Sequence, residues 1–282
     1  MERAGHRRLG GVAAAMGLAA GLMALPAAAE TSEEIAWCEN IGFKFSPDQQ
    51  VDGCTAVIKS GHYSGHSLAV AYSNRCGAWR NKGELDIAMS DCNDAVRFDH
   101  NYAGTYVNRG NVWDDKGNED RAVADYSEAI RLNPKDANAY DMRANAYSAQ
   151  GRHDLAIADY DHSLQINPDD PTTYNNRCDE RLQMRKYRDA LADCEKSLRM
   201  RPNHANTLQH RANAYLALGE LDKAIADYDA SVRLNPKSAW TLYGRGLAKK
   251  KRGVSGAEDD IAAARAISSG IAENFRRAYG IE

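Results

Sequence analysis

Phenylalanine is scarce in this 282-residue chain, with four residues beside four tryptophans and fourteen tyrosines. Aromatics with a polar tip pack in half-wet places, so one large dry globular core is not indicated. An excess of charge is lacking too: 36 basic residues face 39 acidic ones, for a net charge of −3. That balance excludes the strongly basic footprint of a general nucleic-acid binder. After residue 29 no apolar run is long enough to span a bilayer. Catalytic constellations are missing as well. Ser64, between Gly61 and Gly65, has the wrong spacing for a nucleophile elbow, and no phosphate-cradling glycine loop precedes a helix. His62 and His66 stand four apart in a glycine-containing insertion, without the glutamate of a zinc-binding helix, and read as a solvated loop. His100, His153, His162, His204 and His210 read as turn or helix-surface residues. Neither catalysis nor a metal nor a cofactor is expected. Cysteine is the ambiguous count, since six residues are too few for a disulfide miniprotein and too many to ignore.

The N-terminus bears on that ambiguity. Arg3, His6, Arg7 and Arg8 precede a short Gly/Ala/Leu/Met run from Leu9 to Leu25, which ends at Pro26 and Ala27-Ala28-Ala29. A cationic start, a short apolar core and a small-residue end make residues 1–29 a secretory signal peptide, with a retained anchor or tail as the alternative. Arg7-Arg8 lacks the flanking residues of a twin-arginine signal, and no cysteine stands at the cleavage point for lipid attachment. Cleavage before Glu30 removes one acidic and three basic side chains and takes the formal charge from −3 to −5. The mature protein is expected to be periplasmic or secreted, without a membrane span.

The rest of the chain is repetitive, with a period of 34 residues. Asn-Pro recurs at Asn133-Pro134, Asn167-Pro168 and Asn235-Pro236, and Arg201-Pro202 fills the missing place. Upstream come the blocks Ala122 to Tyr126, Ala156 to Tyr160, Ala190 to Cys194 and Ala224 to Tyr228. Gly83, Gly117, Gly151, Gly219 and Gly253 precede most of these blocks, and Arg185 breaks that pattern once. Each unit reads as two short helices, the glycine ending the first and the proline setting the turn after the second.

In the unit 103–136, Tyr106, Gly110, Trp113, Ala122, Tyr126, Ala129 and Pro134 fall on a known signature, and Arg109 departs from it where leucine is usual. The chain resembles the tetratricopeptide-repeat family, in the manner of an exported bacterial member. The resemblance implies an all-α, right-handed solenoid of antiparallel helix pairs. Its divisions would be a degenerate N-terminal helix pair over 30–68, six units starting at 69, 103, 137, 171, 205 and 239 and ending at 272, and a cap over 273–282. Phe275 and Tyr279 are expected to seal the terminal core.

Six internal copies can be compared with one another. Position 7 of the unit is always arginine: Arg75, Arg109, Arg143, Arg177, Arg211 and Arg245. Position 23 is aspartate at Asp91, Asp125, Asp159, Asp193 and Asp227, and slips in the last unit, where Asp259 and Asp260 lie nearby. A structural ion pair within each repeat accounts for the matching, because a buried arginine needs such a partner. A row of arginines that binds carboxylates or phosphates is the other reading. Positions 8 and 24 pair a small residue with tyrosine, as in Gly110 with Tyr126, Ala144 with Tyr160 and Ala212 with Tyr228. Both change together in Cys76 with Cys92 and Cys178 with Cys194, and Cys38 with Cys54 repeats the separation of 16. Three disulfides are expected, each stapling the two helices of one repeat, which would suit an oxidising compartment. Free buried thiols and a metal site are the alternatives, although no C-x-x-C or Cys/His cluster supports the latter.

The family resemblance implies a concave ligand face built from positions 2, 5, 9 and 12 of each first helix. Those positions hold Asn111, Asn145, Asp179 and Asn213, with Asp141, Asn175 and Gln209 one turn earlier. Side-chain amides can bond both N–H and C=O groups of an extended peptide. A solubilising role for the same amides is the plainer reading. Trp240, Tyr243, Lys249, Lys250, Lys251 and Arg252 give the C-terminal end an aromatic and cationic character, suited to an acidic segment or to solvent alone. The expected function is a non-catalytic scaffold or adaptor in the cell envelope that binds a protein or extended peptide and no nucleic acid. The rival is a structural, oligomerising component that uses its outer face.

Overall fold

The computed structural model describes residues 31–40, 42 and 44–281. The expected signal peptide lies outside the described residues. Regular structure among the described residues is helical throughout, in fifteen α-helices. The chain divides after Arg152 into two units. The first holds α1 (Thr31–Glu39), α2 (Pro47–Lys59), α3 (Gly65–Asn81), α4 (Leu85–Phe98), α5 (Ala103–Asp115), α6 (Glu119–Leu132) and α7 (Ala137–Ala149). The second holds α8 (His153–Ile166), α9 (Pro171–Gln183), α10 (Tyr187–Met200), α11 (Ala205–Ala217), α12 (Leu221–Leu234), α13 (Ala239–Arg252), α14 (Ala257–Ile267) and α15 (Ile271–Tyr279).

Helix ends follow local chemistry. The side chain of Asp136 accepts from the backbone N–H groups of Asn138 and Ala139, and that of Asp170 from Thr172 and Thr173. Such caps satisfy donors that have no partner within the helix. Gly83, Gly117, Gly151, Gly219 and Gly253 close first helices at φ between 71° and 83°. Arg185 takes the same left-handed conformation at φ 59°, which costs an L-residue about 1–2 kcal/mol. At Gly53 the reason for glycine is proximity. A Cβ there would lie 2.5 Å from the Glu34 carbonyl oxygen and 2.6 Å from Trp37 Cβ, so α1 and α2 touch backbone to backbone.

In the first unit successive helices pack as antiparallel neighbours around separate small cores, such as Cys76, Ala88, Cys92 and Val112 beneath Trp79 and Met89. One sequence expectation changes here. The segment read as a loop around His66 is helical from Gly65, because Ser64 is extended and starts α3 one turn before residue 69. His66 Nδ1 lies 2.6 Å from Asp99 Oδ2, an exposed pairing that ties the start of α3 to the end of α4.

The second unit has one larger core, running from Cys178, Leu182 and Cys194 through Tyr215, Leu216 and Tyr228 to Leu247, Phe275, Tyr279 and Ile281. Its last helix does more than seal an end. Helix α15 packs on α9 and α13 as well as on α14, so it reaches back from the last repeat to a first helix two repeats earlier. The expected cap boundary at 272 falls inside α15.

Candidate functional site

The arginine at position 7 is held the same way in both units. Arg75 donates through Nε and Nη2 to Asp91, each at 2.7 Å, and Arg109 does so to Asp125 at 2.8 and 2.7 Å. Arg177 and Asp193 form the same fork at 2.9 and 2.6 Å, Arg211 and Asp227 at 2.6 and 2.7 Å. In the last repeat Arg245 takes Asp260, not Asp259, at 2.8 and 2.5 Å. Arg143 belongs to the first unit and Asp159, which is buried, to the second. Pairing with aspartate raises Arg109, Arg211 and Arg245 above the ordinary guanidinium value, and at Arg75 and Arg177 burial, the largest influence, opposes it without prevailing.

A second contact was invisible in the pairing alone. The remaining guanidinium nitrogen reaches the residue 16 positions earlier, on the preceding repeat: Asn93 from Arg109, Ser127 from Arg143, Asp161 from Arg177 and Asp229 from Arg245. Arg75 reaches Thr55, 20 positions back, across the longer first connection. Arg75, Arg109, Arg143 and Arg177 also lie over the tyrosine three residues before them, 5.3–5.8 Å from the ring centroids. Each such arginine therefore ties two repeats together, and its donors are consumed within the fold. A polar residue at position 25 of the first five units, Asn93, Ser127, Asp161, Glu195 and Asp229, was the signal available for this.

Burial pushes the Asp260 carboxyl upward, but hydrogen bonds from Arg245 and Lys249 outweigh it and leave the pKa below the ordinary 3.8. A carboxylate depressed on folding contributes stability that is complete above its unfolded value and is lost as pH falls through the folded one. Asp260→Asn is therefore expected to flatten the acid limb of stability below about pH 4. Urea midpoints measured from pH 2 to 7 check this, and an acid limb as steep as in the parent chain would refute it.

The cysteines are joined as Cys38–Cys54, Cys76–Cys92 and Cys178–Cys194, with Cα separations of 4.4, 5.4 and 5.6 Å. All six are at most 1% exposed. The slot is the same one filled elsewhere by tyrosine: a Cβ on Gly110 would lie 2.6 Å from the Tyr126 ring. Tyr126 donates its hydroxyl proton to Asn111 Oδ1 at 2.8 Å, and Tyr228 donates to Asn213 Oδ1 at 2.5 Å. Position 9 thus has an inward use, as acceptor for the tyrosine at position 24.

That use divides the expected ligand face. In the first unit Asn111, Asp141 and Asn145 are partly exposed on the first helices α5 and α7. In the second unit Asn175, Gln209 and Asn213 are buried, Asn213 completely. Asn175 Oδ1 accepts from Thr207 Oγ1 at 2.7 Å, with His210 Nδ1 3.2 Å away, and Gln209 Oε1 accepts from Thr241 Oγ1 at 3.3 Å. They are not an open amide row, because Asn175 and Gln209 face neighbouring first helices and Asn213 faces Tyr228 on the second helix of its own repeat. His210, read as a surface residue, is mostly buried and lies 3.6 Å from Asp179. Asp179 also accepts from Gln183 at 3.2 Å and from the Tyr279 hydroxyl at 3.4 Å.

The aromatic end is occupied in the same way. Phe275 lies 5.9 Å from Trp240 and 5.4 Å from Tyr243 between ring centroids, and Tyr279 lies 5.7 Å from Trp240. The Tyr187 hydroxyl donates to the Tyr279 carbonyl at 2.8 Å. The cationic run is largely committed: Lys249 pairs with Asp260, Lys250 with Glu258 and Arg252 with Asp222. His153, also read as a surface or turn residue, sits 2.8 Å from Glu180, whose side chain is fully buried. No helix among the described residues is long and apolar enough to cross a membrane.

Models of the tetratricopeptide repeat match residues 108–171 and 194–226, and a model described as TPR repeat matches 212–253. No curated protein sequence matches the chain. Among solved structures, pilF of Pseudomonas aeruginosa is similar at 19% identity and a TM-score of 0.64, over 73% of this chain and 96% of its own. A tetratricopeptide repeat protein from Parabacteroides merdae is similar at 17% identity and 0.61, over 88% and 98%. YrrB, described as a TPR protein with an unusual peptide-binding site, is similar at 18% and 0.54, over 63% and 92%. At these identities the likeness is one of fold.

Proposed function

Since the chain is a tetratricopeptide-repeat protein with an all-α helical-repeat fold, we propose that it is a non-catalytic scaffold that binds a protein or an extended peptide in the cell envelope. The observation that carries the reading is the exposure of Asn111, Asp141 and Asn145 on successive first helices of the first unit. Position 9 amides there offer side-chain N–H groups to a bound backbone while the Asn111 oxygen accepts from Tyr126, and Asp141 adds a charge that favours a cationic or N–H-rich segment. The peptide-binding site described for YrrB lies on a similar fold and supports the same use. Three buried disulfides and an expected signal peptide support a periplasmic or secreted setting, where such bonds persist.

The test is a crosslinked pull-down from envelope extract with the mature chain, repeated with Asp141→Lys and Asn145→Lys together. Both residues are partly exposed, and the fold is expected to survive. The proposal expects the specific partner to fall at least tenfold in yield, equivalent to about 1.4 kcal/mol or more. An identical profile would transfer the interaction to the outer face, the structural reading.

A further inference from the structure

The ligand face of the second unit already holds a helix, and that helix is the chain's own α15. Its inward stripe is Ile271, Phe275 and Tyr279, spaced four apart, and the three side chains are at most 5% exposed. Its outward face is Glu273, Arg276 and Arg277, all more than half exposed. This is how an amphipathic helix lies in a groove, with anchors one turn apart and charges in water.

The receiving surface is built from the first helices. Trp240 and Tyr243 on α13 clasp Phe275, Trp240 also meets the Tyr279 ring edge-on, and Asp179 on α9 accepts from the Tyr279 hydroxyl. Those contacts take in three residues of the expected ligand face. Tyr187 fixes the far end by donating to the Tyr279 carbonyl, and Arg185 Nε stands 2.6 Å from where a Gly280 Cβ would be, so the turn after α15 passes against the guanidinium of a residue just past the end of α9.

The attachment has the features of something that opens. At nine residues α15 is below the length at which a helix holds itself in water, so its order is borrowed from the groove. Ser268, Ser269 and Gly270 join it to α14, and Gly280 in left-handed conformation ends it. On α11, between the two first helices that α15 packs on, Asn213 keeps a buried Nδ2 with no hydrogen-bond partner, a donor that the resident arrangement leaves unused.

We propose that α15 is a displaceable internal occupant of the second unit's groove. The partner that replaces it is a protein segment forming an amphipathic helix with an aliphatic residue followed by two aromatic residues at four-residue intervals. The inference rests on the reading that first-helix faces carry the ligand. It differs from that reading in substrate, since the second unit takes a helix where the first offers amides to an extended segment.

Two measurements on the oxidised mature chain test it. In native-state hydrogen exchange, the amides of 271–279 are expected to exchange at least a hundredfold faster than those of α11 and α12. Exchange at the rate of the core would show a permanent structural element and overturn the proposal. Second, a labelled peptide of residues 268–282 serves as the probe helix. It is expected to bind Phe275→Ala/Tyr279→Ala protein at least tenfold more tightly than the parent chain, and a peptide carrying the same two substitutions is expected to lose binding to that protein. Ile271→Ala, a milder truncation on α15 itself that leaves the receiving surface intact, is expected to raise peptide affinity in the same direction and guards against misfolding of the double variant. Equal affinity for all chains overturns displacement. A double variant that dimerises and takes up no peptide would assign the groove to a second copy instead. The Asp141 and Asn145 pull-down is independent of α15, so failure of the latch and failure of the scaffold reading are told apart.

Discussion

Cys178→Ala with Cys194→Ala is expected to destabilise the second unit by about 3 kcal/mol, the loss for opening a loop of this size. That corresponds to a melting midpoint about 6–12 °C lower for a domain of this order of length. The informative comparison is Cys178→Ala with Cys194→Tyr, which converts the slot to the Ala212 and Tyr228 arrangement two helices later. A tyrosine at 194 would find an acceptor in Asp179 at position 9, as Tyr228 finds Asn213 and Tyr126 finds Asn111. Most of the lost stability is expected to return. The same exchange at Cys76 and Cys92 is expected to recover much less, because position 9 of that repeat is Gly77 and a buried phenol would lack its partner, at a cost of about 1–3 kcal/mol. Denaturant midpoints of the four variants decide the matter. Equal recovery at both sites would mean that the hydroxyl partner is irrelevant to the slot.

The second large effect is expected at Asp193. Its side chain is 4% exposed and accepts from Arg177 through two nitrogens and from Arg181 at 2.6 Å. Asp193→Ala leaves two guanidinium groups with an emptied site between them. Arg177 would keep only Asp161, which is 44% exposed. Breaking a buried pair by deleting one partner costs about 3–5 kcal/mol. The control is Asp115→Ala, whose pairing with Arg80 is exposed on both sides and is expected to be worth under about 1 kcal/mol. If chemical unfolding shows the two substitutions to be equally costly, the ladder is ornament on a stack held by apolar packing alone.

Much of the architecture was legible because the chain carries its own alignment. Six copies at a 34-residue period expose which positions repeat, and helix pairs follow from glycine and proline placed on that period. The arginine and aspartate columns were visible for the same reason. The illegible parts fall where there is only one copy. Helix α15 lies outside the period, so Phe275 and Tyr279 could be recognised as anchors while the face they occupy, back to α9, could not. The reading of Asn175, Gln209 and Asn213 as an open row failed as a consequence, since exposure is set by what lies over a residue and not by its column. His66 failed for a local reason: two glycines and a serine suggested a loop, whereas Ser64 in extended conformation begins a helix. His210 was lost because its partners Asn175 and Asp179 are 35 and 31 positions away, on the preceding repeat.

The order of the disulfides has a consequence for how the protein is made. Six cysteines admit fifteen pairings, and this chain uses the one in which each cysteine joins its immediate successor. A chain that emerges end first, from a ribosome or a pore, presents each partner 16 residues after the first. Loops of this size close in well under a microsecond, long before the next pair appears. Oxidation can therefore proceed in step with emergence, each staple set before a wrong partner is available, and correct connectivity needs an oxidant but little reshuffling.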